Sequence, residues 1–145
     1  MQEAKDLTKE APRSPHVKIA GFVTAARMLD KCRATINATN GEYKFDCPMD
    51  NTLFSFVGVN GDKVKEKVSA GASDEEIGAW LQEKSGKSDE EIATWSATEE
   101  AISYFTHSDS GKKEWFIGEC QKLGLNPEET TLFDYLDVDD SKSFS

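Results

Sequence analysis

The residues with the most chemical promise lie near the N-terminus: Arg13, His16, Arg27, Asp30, Lys31 and Arg33. Arg27 and Lys31 stand four apart, so on a helix they are neighbours, a like-charge pair that costs about 0.2–0.5 kcal/mol unless a counter-ion intervenes. Asp30, three residues from both Arg27 and Arg33, can offset that repulsion. If the preceding segment folds back across the helix, Arg13 and His16 complete a pocket for a small anion. A guanidinium fork matches the geometry of a carboxylate or phosphate. The competing expectation is that the chain's own acids, such as those at 74–76 or 89–91, neutralise the cluster.

Other chemistries have weaker support. A hydrolase of esters or lactones would draw its general base from His16 or His107, the two histidines of the chain. Asp30, Asp46 or Asp50 would orient that base, with Ser14, Ser108 or Cys47 as nucleophile, but no spacing links these residues. Asp137-x-Asp139-x-Ser141 begins like a calcium loop. Lys142, however, stands where such a loop needs glycine, and no late glutamate follows. The three cysteines, Cys32, Cys47 and Cys120, form no C-x-x-C pair, which predicts small buried thiols rather than a disulfide or zinc framework. There is no G-x-S-x-G elbow, G-x-G-x-x-G, phosphate loop or H-E-x-x-H. Neither a cofactor nor a resident metal is expected.

The elements that must position these side chains read as helices. The chain has 145 residues, 37% of them hydrophobic and 14 aromatic, enough for one ordinary domain with a filled core. Phe22, Ala25, Leu29, Cys32 and Ile36 recur at spacings of three and four, predicting a helix over 20–38 that ends at Asn40-Gly41. Asp50 to Val57, closed by Gly58, and Asp62 to Ala70 predict two short helices. Ser73-Asp74-Glu75-Glu76-Ile77-Gly78-Ala79-Trp80 returns fifteen residues later as Ser88-Asp89-Glu90-Glu91-Ile92-Ala93-Thr94-Trp95. Each copy reads as a capping box opening a helix. Trp80, Trp95 and Trp115 could line a groove, although at helical spacing they fit a core better. Further helices are expected from Lys112 to Leu123 and from Asn126-Pro127 to Leu136. Between the first two helices, Tyr43, Phe45 and Cys47 alternate with polar residues, which gives a short strand or hairpin near 42–47 or an extended connector. The expected fold is mainly α, with an extended arm over 1–15, one helical domain over 16–140 and a frayed tail over 141–145.

Charge excludes some partners. Residues 1–45 carry +3 and the remainder -13, within a net charge of -10. So acidic a body would be repelled by phosphate backbones and anionic lipid, so neither nucleic acid nor membrane is an expected partner. No apolar stretch approaches the roughly 20 residues of a membrane span. The N-terminus lacks the basic and apolar regions of a secretory signal. A cytoplasmic location is expected.

Asp6-Leu7-Thr8-Lys9, Pro12-Arg13-Ser14-Pro15, Met28-Leu29-Asp30-Lys31-Cys32-Arg33-Ala34 and Gly41-Glu42-Tyr43 together resemble a family of small bacterial proteins known only as a domain of unknown function. Cys47-Pro48-Met49-Asp50, Phe56-Val57-Gly58-Val59 and the acidic helix with Trp80 are similar to its later blocks. The resemblance spans roughly residues 6–83. Members often carry Pro where Ala26 stands, so this helix is expected to be straighter. The resemblance brings no activity with it. The sequence is read as a binding or interaction module for a small anion or a protein partner. A small hydrolase of esters or lactones, with or without calcium dependence, and a structural subunit of an oligomer are the alternatives.

Overall fold

A computed structural model describes residues 4–105 and 110–144; His107 and Ser108 lie outside the described residues. Local signals account for most of the elements. α1 (Ala25–Ile36), α2 (Pro48–Val57), α3 (Gly61–Ser69), α4 (Asp74–Ser85) and α5 (Asp89–Glu100) pack as one body. α6 (Ser110–Lys122) and α7 (Leu132–Ser143) share a second, smaller apolar cluster. The fold is mainly helical, as expected. Both capping boxes form: the hydroxyls of Ser73 and Ser88 accept from the amides of Glu76 and Glu91, whose carboxylates accept from the serine amides in return. Gly58 closes α2 in the left-handed conformation, at φ 90°.

Three boundaries differ from the expectation. The first helix starts at Ala25, not near residue 20, because residues 20–24 turn back on themselves. Ile19 and Phe22 exchange backbone hydrogen bonds, and Ala20, Gly21 and Thr24 all have positive φ. Phe22 keeps its place in the core without belonging to the helix. Residues 42–47 pair with no strand among the described residues. They form the extended connector, with Tyr43, Phe45 and Cys47 half-buried between exposed neighbours. Asn126 to Glu129 is a turn rather than a helix start, since the Asn126 side chain accepts from the Glu128 amide. α7 begins instead under a Thr131 cap and runs to Ser143, through most of the tail expected to fray.

That last helix also corrects the calcium reading. Asp137, Asp139 and Ser141 fall inside α7, where residues two apart point to different sides and cannot converge on one ion. No helix among the described residues is long and apolar enough to cross a membrane.

The N-terminal arm lies across α1. Leu7 is buried and its amide donates to Thr39 O at 2.8 Å, while the Arg13 amide donates to Asp30 Oδ2 at 2.8 Å. Near its end, Thr24 N–H donates to Pro15 O at 2.8 Å. Ser96 of α5 clasps the loop that follows: its hydroxyl donates to Gly21 O at 2.6 Å and accepts from the Val23 amide at 3.2 Å. The loop is thus held from two sides. Gly78 of α4 makes room for it, because a Cβ there would lie 2.9 Å from Ile19 Cγ2.

Candidate functional site

The structure gathers five of the six N-terminal residues, all but His16, but each cation already holds a carboxylate. Arg13 bridges Asp30 at 3.1 Å and Asp74 at 2.8 Å. Arg27 meets Asp140 at 2.7 Å, Lys31 meets Asp50 at 3.0 Å, and Arg33 takes the second oxygen of Asp74 at 2.8 Å. Tyr43 donates to Asp140 at 2.8 Å, and Lys31 also donates to Cys47 Sγ at 3.3 Å. Arg27, Asp30, Lys31, Arg33, Asp50 and Asp140 are all buried. Among the described residues, four cations face four carboxylates, which balances the formal charges of the network. Buried ions are tolerated when paired and hydrogen-bonded in this way.

The cations of the expected anion pocket are thus taken up by the chain's own carboxylates. The arm does fold over α1 and bring Arg13 to it, yet Asp30 engages Arg13 rather than relieving the Arg27–Lys31 repulsion. Asp74, among the acids considered as neutralisers, binds two arginines, while residues 89–91 serve their own helix start. Asp50 and Asp140 were the partners the sequence did not reveal. Nothing local marks either as the mate of a residue 19 or 113 positions away.

His16 sits apart from that network. Its Nδ1 lies 2.8 Å from Glu100 Oε2, and its Nε2 lies 3.0 Å from Asp134 Oδ1 and 3.9 Å from Asp137 Oδ2. Burial works against the charged ring, but hydrogen bonds to Glu100 and Asp134, with the charges of Asp137 and Asp134, outweigh it and raise the His16 pKa above 6.5. The hydrolase arrangement is absent among the described residues. Ser14 Oγ accepts from the His16 backbone amide, and both ring nitrogens face carboxylates. The cysteines are free; burial pushes the Cys32 thiol up to about 12, far from a thiolate nucleophile. Trp80 and Trp95 pack against the main core, and only Trp115 among the tryptophans is exposed.

Of the three tryptophans considered for a groove, Trp95 lines a cavity beside the loop. It measures about 410 Å³, and its lining includes Met49 of α2, Trp95 and Glu99 of α5, Tyr104, Lys112 of α6, Phe133 of α7, and Thr24. Trp95 is fixed by stacking on Phe56 at 4.7 Å between ring centres, nearly parallel. Burial raises the Glu99 carboxyl above its ordinary 4.5. Thr24 is the anomaly here. It precedes α1 in the N-cap position, where threonine normally accepts a first-turn amide. At φ 68° it is left-handed, unusual for a β-branched residue, and its side chain makes no cap bond. With 3% of its surface exposed, it leaves Oγ1 without a hydrogen-bond partner. The expected helix through residues 20–24 concealed this residue.

Residues 9–142 match a family model described as Domain of unknown function (DUF5069), a wider span than the 6–83 over which the resemblance was read. No curated protein matches the chain.

Proposed function

The chain belongs to that DUF5069 family, whose description carries no activity, and from this premise we propose that it is a small-molecule binding protein. Its ligand has an apolar or aromatic body and a neutral hydrogen-bonding head. The cavity between α2, α5 and α7 takes the body, against Met49, Trp95, Tyr104 and Phe133. The head meets Thr24 and Glu99. An apolar pocket with few polar groups is the usual form of a small-molecule site.

Thr24 carries the reading. An unsatisfied buried hydroxyl costs about 1–3 kcal/mol, and a strained backbone adds about 1–3 kcal/mol. Both fall on one residue of the cavity wall, held there by Pro15 and by the Ser96 clasp on its neighbours. A ligand hydrogen bond to Oγ1 would remove the first cost. Glu99 and Lys112, one acid and one base, both line the cavity, and together they favour a neutral head over an anionic one.

The test is a thermal-shift screen of small aromatic amides, alcohols, ketones and carboxylates on the whole chain. The neutral compounds are expected to raise the melting temperature, and Thr24→Gly is expected to remove that response. Glycine accepts φ 68° freely and carries no hydroxyl, so the free Thr24→Gly protein should melt no lower than the parent. A screen with no stabilising neutral compound, or a response that survives Thr24→Gly, defeats the proposal.

A further inference from the structure

We propose that His16, Asp134 and Asp137 form a site for a first-row divalent cation that ties the N-terminal arm to α7. None of the three ligand residues lines the cavity described above, so either reading can fail without the other.

Three observations support the site. The ligand atoms of His16, Asp134 and Asp137 all lie within 4.8 Å of one another. Donors about 2.1 Å from a common ion stand about 3 Å apart when they subtend roughly a right angle, which is the present Nε2–Asp134 separation of 3.0 Å. The 3.9 Å to Asp137 closes with a small rotation of a half-exposed side chain. Asp134 and Asp137 are three residues apart and therefore share one face of α7.

The second observation is the orientation of the imidazole. Metal-bound histidines almost always have their other ring nitrogen held by a carboxylate or carbonyl, which fixes the tautomer and aims the free nitrogen. Glu100, at the end of α5, holds Nδ1 at 2.8 Å. Phe133 meets the ring edge-on, with centroids 5.3 Å apart, and limits its tilt. Nε2 is thereby directed at the two aspartates.

Charge is the third. The basic network balances four cations with four carboxylates, whereas here three carboxylates surround one imidazole. Among the described residues, the only ion-pair partner of Glu100, Asp134 and Asp137 is His16. Even a protonated ring would leave the group at -2, and a divalent ion on a neutral ring removes most of that excess. One imidazole with two carboxylates suits Mn²⁺, Fe²⁺, Co²⁺ or Zn²⁺ better than Ca²⁺ or Mg²⁺, which prefer oxygen donors throughout. Three protein ligands leave coordination positions for water.

Calorimetric titration of the chelator-treated full chain with Zn²⁺, and Co²⁺ titration followed by visible absorption, provide the test. One ion per chain is expected, with a raised melting temperature. His16→Gln and Asp137→Asn, the latter at a half-exposed side chain, should each abolish saturable binding. Glu100→Gln should weaken it about 10–100-fold while leaving the stoichiometry at one. Ca²⁺ should compete only at concentrations at least a hundredfold higher. The proposal is overturned by an absence of one-to-one binding, by binding that survives both His16→Gln and Asp137→Asn, or by Ca²⁺ binding as tightly as Zn²⁺.

Discussion

Replacing Lys31 by methionine removes one charge from the most deeply buried of the ion pairs described. The Lys31 and Asp50 side chains are 5% and 1% exposed and meet at 3.0 Å. With an effective dielectric constant of 20, two unit charges at that distance attract by about 5–6 kcal/mol. Removing one partner of a buried pair typically costs about 3–5 kcal/mol, because the other charge is left without compensation. Asp50 would still accept from the Asp46 amide at 2.9 Å, so the lower half of that range applies, about 3–4 kcal/mol. Methionine nearly preserves the apolar stem, so lost packing contributes little. At about 3 °C per kcal/mol for a chain of this size, Lys31→Met should lower the melting temperature by roughly 10 °C. Urea denaturation followed by tryptophan fluorescence gives the free energy directly. The double variant Lys31→Met/Asp50→Asn removes the stranded charge and keeps the acceptor for Asp46, so it should recover about 2 kcal/mol. A single variant that loses less than about 1 kcal/mol, or a double variant no more stable than the single, would refute the view of this cluster as a self-neutralised buried network.

The two copies of the capping sequence supply a paired prediction. Gly78→Ala should lose about 1 kcal/mol in urea denaturation despite alanine's better helix propensity, since the new Cβ would stand 2.9 Å from Ile19 Cγ2 and 3.1 Å from Ala20 Cβ. Its counterpart Ala93→Gly, at an exposed position, should lose a similar amount through propensity alone, and equal or greater stability for Gly78→Ala would contradict the close packing on the arm. The same boxes give a pH effect. Backbone and side-chain hydrogen bonds from Ser73 and Ser88 hold the Glu76 and Glu91 carboxyls below their ordinary 4.5. A depressed folded value means that the stabilisation is present above pH 4.5 and is lost as pH falls through the folded values. The urea midpoint of the parent should therefore exceed that of Glu76→Ala/Glu91→Ala at pH 7 and converge towards it below pH 4.5, and a gap that does not narrow would count against the boxes.

What the sequence determined alone is what short-range energetics decide. Ser73 and Ser88 with a glutamate three residues on, Pro48 at a helix start, Gly58 beyond a helix end and the three-and-four spacing from Ala25 to Ile36 each act within about one helical turn. Those signals settle helix content and most boundaries, because a cap or a dipole interaction depends on neighbours that no tertiary arrangement can take away. Their limits show at Phe22, which fits the helical period while lying in a turn: periodicity reports which residues reach the core, and a loop can deliver one there as well as a helix. Asn126-Pro127 fails similarly, since the side chain that could cap a helix closes a turn with the same hydrogen bond.

Tertiary structure alone decided the partners. Arg27 pairs across 113 residues and His16 across 118, and a charged side chain carries no local mark of its mate. Whether a basic cluster stays open to a guest or is closed by the chain's own acids depends on which helix faces meet. That choice follows from burying the apolar faces together, with the ion pairs selected among the charges brought along. The left-handed Thr24, the cavity beside it and the junction of the arm with α5 and α7 arise in the same way, from contacts between segments that are far apart in sequence and adjacent only after folding.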